Sequence, residues 1–187
     1  MKTGDSRNPG DPAPRALIER TIRVDQAGEF GAVRIYRGQL AALCWTGRGK
    51  GEASRKIAAM ARAEQQHNKV FDRLLAERRV RPTVLSPLWS VAGFALGAAT
   101  ALMGEKAAMA CTVAVEETID EHYAQQAAAL GDDEAELRGT IEKFRAEEIE
   151  HKEEALASGA EQAPAYETLT RAIKAGSKLA IWLSTRI

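Results

Sequence analysis

At 187 residues, with 26 Lys plus Arg against 26 Asp plus Glu, the chain is long enough to bury one domain-sized core. Its formal net charge is zero, so it lacks the basic excess that displaces counterions from phosphates, and nucleic acid is excluded as the main partner. Abundant Ala, few aromatics and Gly placed mostly at segment ends indicate an all-α protein.

Residues 1–15 contain three prolines and two acidic residues, with no apolar run and no Arg-rich amphipathic pattern. Neither a secretory signal nor a transit peptide is expected there. A disordered lead over 1–15 and one helical domain over 16–187 are the expected organisation. The first helix is predicted over 16–43, running through Gly28, Gly31 and Gly38, until TGRGKG at 46–51 breaks it. A second is predicted over 52–79, with Pro82 ending that region.

Residues 83–104 form a stretch of 22 without a charge. Its length permits a membrane span. Pro87 near its start, the spaced Gly93, Gly97 and Gly104, and dilution by Ala and Thr speak against one. An ordinary buried helix and a helix lying in a membrane interface fit the same pattern. A fourth helix is predicted over 106–130, before the turn Gly131-Asp132-Asp133. A fifth follows over 134–157, closed by Ser158-Gly159, and a sixth over 165–184, after Pro164. Cys44 and Cys111 sit in apolar helical contexts without a CxxC spacing, which predicts reduced core thiols.

The predicted inward stripes turn polar in four places. In the second helix Ile57, Met60, Glu64, His67, Phe71 and Leu74 recur at alternating steps of three and four, the period of a face turned to a core. The fifth repeats this with Leu137, Ile141, Phe144, Glu148, His151 and Ala155. The fourth gives Met109, Val113, Glu116, Asp120 and Tyr123, and in the first helix Glu29 lies between Ile22 and Tyr36. A buried unpaired carboxylate takes up a proton rather than stay charged. No inward set of Lys or Arg offsets these four, whereas two divalent cations would. Glu-x-x-His sets both side chains on one helix face, one turn apart, so that both reach one ion or the Glu bridges two. One Glu from each of two helices and one Glu-x-x-His from each of two others is the ligand recipe of ferritin-like di-iron carboxylate bundles. The chain matches it with Glu29, Glu64, His67, Glu116, Glu148 and His151. A single Glu-x-x-His is weak; two, using two of only three histidines, are specific.

An internal duplication supports the pairing. Glu29, Tyr36 and Gln39 share spacings with Glu116, Tyr123 and Gln126 at an offset of 87, and the two Glu-x-x-His motifs are offset by 84. This predicts a pseudo-twofold axis through the metal pair. Glu117, Glu147 and Glu150 point elsewhere around their helices and are expected beside the ligands or in solvent. Oxygen and nitrogen donors with open positions suit iron or manganese better than a closed structural zinc. Two ferrous ions can together deliver two electrons to O2. Tyr123 projects on the face of Glu116, either as a core aromatic bonded to a ligand carboxylate or in a redox or proton role. Spacing alone favours the surface for His122.

The segments RVDQAGEFGAVRIYRGQ, RPTVLSPLWSVAGFALGAATAL, AMACTVAVEETIDEHYAQQ, KFRAEEIEHKEEAL and APAYETLTRAIKAGSKLAIWLS resemble the demethoxyubiquinone hydroxylases of ubiquinone biosynthesis. The resemblance covers nearly everything after residue 16. It implies a ferritin-like di-iron monooxygenase acting with O2 on a membrane-dissolved polyprenylated methoxy-methyl-benzoquinol. It places the family's ligands on the six residues named above, with Glu64 and Glu148 bridging two Fe2+ ions and Glu29 and Glu116 terminal. It also links His122 and Tyr123, in DEHY, to electron delivery, and it implies NADH as reductant, although no GxGxxG fingerprint is present. Peripheral attachment to a membrane surface follows from the resemblance, with the cytoplasmic face of a bacterial inner membrane as the expected location. A lipid-binding partner protein of the pathway is associated with the family. A homo-oligomer is a further expectation.

For a substrate dissolved in lipid, Leu85, Leu88, Trp89, Phe94, Leu96 and Leu102 are expected to form the entrance. Leu96 should then face lipid, and the Trp89 N–H should meet headgroups. Two other readings compete: a di-iron or di-manganese ferroxidase, peroxidase or catalase, and a non-enzymatic helical membrane adaptor. Soluble substrates need no uncharged third helix, and an adaptor leaves the four inward carboxylates unexplained.

Overall fold

The computed structural model describes residues 14–187, and among them there is no strand. Six helices follow in order: α1 Arg15–Trp45, α2 Glu52–Arg78, α3 Ser86–Met103, α4 Glu105–Ala129, α5 Ala135–Ala157 and α6 Tyr166–Ser184. The sequence-predicted elements recur with ends displaced by a residue or two. The polar lead expected over 1–15 falls outside the described residues except for Pro14, which caps α1, and Arg15, already its first residue.

Short connections make α1 and α2 one helical hairpin and α4 and α5 another, as up-and-down bundles require. Gly47 supplies a left-handed backbone position (φ +76°) in the first turn. α3 is the long connection between the hairpins. It lies along the outside of α1, and α6 packs against α4. This is a ferritin-like arrangement: four core helices contributing their polar stripes to one interior, with two further helices outside.

Two apolar layers close that interior from either end. Tyr36, Leu43, Ile57, Met60, Met109 and Val113 belong to one layer. Ile22, Phe71, Leu75, Tyr123, Ile141 and Phe144 belong to the other. Two stripe assignments and one cysteine need correction. Leu74 is only half-buried and Leu75 takes the core position. Asp120 leaves the α4 stripe because its short side chain pairs with Arg145 of α5 at 2.5 Å. Cys111 is buried as expected, whereas Cys44, near the end of α1, is exposed.

α3 is not an ordinary core helix. Its buried residues are Gly93, Gly97, Thr100 and Ala101, while Leu88, Val91, Phe94, Leu102 and Met103 are exposed. The glycines permit the contact with α1. A Cβ at Gly97 would stand 1.9 Å from the Ile35 carbonyl oxygen, and one at Gly38 would stand 2.1 Å from that of Phe94. Backbone cannot yield as a side-chain tip does. Gly97→Ala is therefore expected to destabilise the protein by about 3 kcal/mol, the upper range of overpacking costs. Gly28→Ala, where nothing lies within 4 Å, should gain up to about 1 kcal/mol from helix propensity. Thermal melts of the two variants check this, and equal shifts would refute it.

Candidate metal centre

All six residues singled out from the stripes converge between the two apolar layers. Their donor atoms form two groups, Glu29–Glu64–His67–Glu148 and Glu64–Glu116–Glu148–His151, with the atoms of each within 4.8 Å of one another. Glu64 and Glu148 belong to both groups, which is where bridging ligands must stand. α1 supplies Glu29, α2 Glu64 and His67, α4 Glu116, and α5 Glu148 and His151.

The fit to two cations can be tested on the donors themselves. Glu29 Oε2, both oxygens of Glu64, His67 Nδ1, Glu116 Oε2 and Glu148 Oε1 are buried without a hydrogen-bond partner. Buried polar atoms are otherwise almost always paired. Here six such atoms, all of metal-ligating types, lie together in two overlapping donor groups, so the residues fit a carboxylate-bridged pair of ions.

Electrostatics agree with this. Burial, reinforced by the neighbouring Glu64 and Glu148, raises the carboxyls of Glu29 and Glu116 well above the usual range. Burial acts on Glu64 in the same direction, but His151 and His67 beside it hold it down at about 2. Burial would lower His151, yet Glu148 and Glu64, at 3.1 and 3.0 Å from its Nδ1, push it up to about 10. His67 is raised by its carboxylate neighbours against its own burial. The site thus holds protons where cations would sit. A raised pKa means that metal must displace a tightly held proton, so metal affinity is expected to increase as pH rises from acid towards about 10, the His151 value. Calorimetry of metal uptake in buffers of different ionisation enthalpy should register net proton release. Zero release would contradict the assignment.

The pseudo-twofold relation is visible in the second layer of contacts. Tyr36 of α1 donates to Glu116 Oε1 of α4 at 2.6 Å, and Tyr123 of α4 donates to Glu29 Oε1 of α1. Each tyrosine thereby orients, in the other half, the carboxylate that belongs to one donor group only, which is the core-aromatic reading of Tyr123.

His122 is not the surface residue that spacing favoured. Its Nε2 lies 2.9 Å from Gln126 Nε2 and 3.5 Å from Asp25 Oδ1, and Gln126 also donates to Asp25 at 2.7 Å. Asp25 was absent from the sequence-derived set. It is buried, and burial raises its carboxyl. Its position one helical turn before Glu29, on the same face, was the available signal. The three neighbouring acids lie outside the donor groups: Glu117 pairs with Lys174, Glu150 is exposed, and Glu147 contacts the outer edge of His67.

The family model described as "Ubiquinone biosynthesis protein COQ7" matches residues 16–184. The chain is 59% identical over 189 residues to a Rhodospirillum rubrum protein named 3-demethoxyubiquinol 3-hydroxylase, with 100% of this chain and 86% of that one covered. It is 52% identical over 176 residues to a Dictyostelium discoideum protein named NADPH-dependent 3-demethoxyubiquinone 3-hydroxylase, mitochondrial, with 92% of this chain and 79% of that one covered. A Rattus norvegicus protein of the same name is 51% identical over 180 residues, covering 94% of this chain and 81% of that one. A match over nearly all the described helices, with relatives at this level of identity, makes the chain a member of the COQ7 family of ubiquinone biosynthesis proteins.

Proposed function

We propose that the chain is a di-iron monooxygenase that hydroxylates demethoxyubiquinol, a membrane-dissolved polyprenyl quinol, in ubiquinone biosynthesis. The observation that carries this reading is the pair of overlapping donor groups sharing Glu64 and Glu148. The relatives' names supply the substrate. Glu29, Glu64, His67, Glu116, Glu148 and His151 would hold two ferrous ions, whose chemistry when bound is the two-electron reduction of O2.

The balance is that of a monooxygenase. One oxygen atom enters a ring C–H bond of the quinol, and the other leaves as water after two further electrons and two protons arrive. The names of the Dictyostelium and rat relatives carry NADPH where the resemblance implied NADH. Both deliver the same hydride. The chain's own groups position and protect. Tyr36 and Tyr123 fix the terminal carboxylates, and the two apolar layers keep bulk water from the donors. Asp25 and Gln126 hold the His122 ring beside Tyr123, with ring centroids 6.4 Å apart and planes tilted by 34°, an arrangement suited to a proton or electron relay next to the donors.

The exposed apolar face of α3 supports peripheral attachment to a bilayer, and the cytoplasmic face of a bacterial inner membrane belongs to the same proposal. A span is disfavoured because α3 lies along α1 through Gly93 and Gly97. Crossing the bilayer would bury the exposed Arg37 of that partner helix, which lies within the stretch alongside α3. A single domain over 16–187 belongs to the same proposal. Quinone analysis of a strain lacking the protein tests it. Demethoxyubiquinone should accumulate and ubiquinone vanish, and normal ubiquinone would sink the proposal.

A further inference from the structure

The two halves of the centre are alike in their ligands and unlike in what stands behind them. His67 turns Nδ1 to the carboxylates, 3.0 Å from Glu148 Oε1 and 3.4 Å from Glu29 Oε2. On the opposite edge its Nε2 lies 2.5 Å from Glu147 Oε2. The ring also stacks on Phe144 at 4.0 Å between centroids. His151 likewise turns Nδ1 inward, towards Glu64 and Glu148. The residue that corresponds to Glu147, at the offset of 84 relating the two motifs, is Ala63. Its methyl accepts no hydrogen bond. The His151 side chain is 14% exposed against 2% for His67.

We propose that Glu147 is a positioning residue that makes the two metal positions unequal, so that the position beside Glu29 and His67 fills first. The proposal rests on the di-iron reading above. An ionised carboxylate only accepts, so His67 Nε2 carries the hydrogen and Nδ1 is left with its lone pair towards the ion. Donation to a carboxylate also makes the imidazole a stronger base, and loss of such a partner lowers metal affinity about 10–100-fold. Lys143 Nζ lies 3.7 Å from the other oxygen of Glu147, Oε1. Among the described residues His151 has no such outer partner, and its contacts are the inward ones with Glu64, Glu148 and the His67 ring. The sequence duplicates the ligands and breaks the symmetry one residue before Glu148.

Anaerobic titration of the full chain with cobalt(II), followed by its visible absorption and by calorimetry, tests the idea. The wild-type chain should take up two equivalents in sequence, the first more tightly. In Glu147→Ala the first constant should weaken by about 10–100-fold, the second should hold, and the two steps should merge. Glu147→Gln keeps an acceptor oxygen and should retain part of the separation. Glu150→Ala, an exposed acid on the same helix, should titrate as wild type. An unchanged first constant in Glu147→Ala, or equal weakening of both constants, overturns the proposal while leaving the di-iron reading intact. No cobalt uptake by the wild-type chain overturns both.

Discussion

Glu148→Ala is expected to leave the chain folded, to cut bound iron from about two ions per chain to less than one, and to reduce hydroxylation at least about a hundredfold. Loss of an outer partner alone costs about 10–100-fold in metal affinity or activity, and Glu148 belongs to both donor groups. Glu64→Ala should behave the same way. Glu29→Ala, by contrast, removes a ligand from one group only and should keep part of the metal. The fold should survive because the apolar layers on either side of the centre stay intact. His67 and His151 each lose a carboxylate partner, so the metal-free chain should still melt in one transition, at a somewhat lower temperature. Glu117→Ala breaks only the pair with Lys174 of α6 and should retain iron and activity. Iron analysis beside the melts checks all four variants. Iron lost from Glu117→Ala and kept by Glu148→Ala would place the wrong face of both helices in the centre.

The donor set was legible because it violates the pattern around it. A carboxylate or imidazole at the apolar phase of a helix is visible from one chain segment, and four carboxylates with two histidines at that phase in four helices admit few explanations. Helix ends were legible for a similar local reason: TGRGKG and Ser158-Gly159 break their helices wherever these pack. What stayed hidden depends on how one helix is rotated against another. The reach of Glu147 to His67 joins α5 to α2, and no spacing within either helix reports it. His122 looked like a surface residue until α1 brought Asp25 against it.

The orientation of α3 lies between these cases. Gly93, Gly97 and Thr100 mark by their spacing the stripe that seats on α1, so the outward residues could have been read as those opposite. The expectation for Leu96 ignored that stripe. Leu96 packs against the cluster of Ile35, Cys111 and Ile173, and the Trp89 N–H, expected at headgroups, donates instead to Ser184 of α6 at 3.0 Å.

That correction moves the membrane test to other residues. Val91 is 70% exposed, and Leu88 and Phe94 share its outward side of α3. The Trp89–Ser184 bond, with a second from Thr83 to the Ile187 carbonyl at 2.5 Å, ties the start of α3 to the end of α6. The exposed Leu179 and Trp182 lie on α6, so the bond brings a second apolar helix beside the first. Arg186 stacks over the Trp182 ring at 3.8 Å, setting a cation beside an apolar ring as an anionic bilayer surface favours.

Burying one Val or Leu side chain is worth about 1.5–3 kcal/mol, or at least about tenfold in partition. Leu88→Lys combined with Val91→Lys should therefore weaken binding to zwitterionic vesicles, where added lysines gain no surface-charge attraction, by about a hundredfold or more. Iron content should not change, since neither side chain faces α1. Turnover should collapse on a long-chain quinol held in vesicles and persist on a short-chain soluble analogue. Leu96→Lys should instead lower the melting temperature, because it drives a charge into the α1–α4 packing. If the double variant sediments with vesicles as the wild-type chain does, α3 is not the attachment surface. The test then passes to Leu179 and Trp182, where the same pair of lysines on α6 must release the protein for any lipid-side entrance to stand.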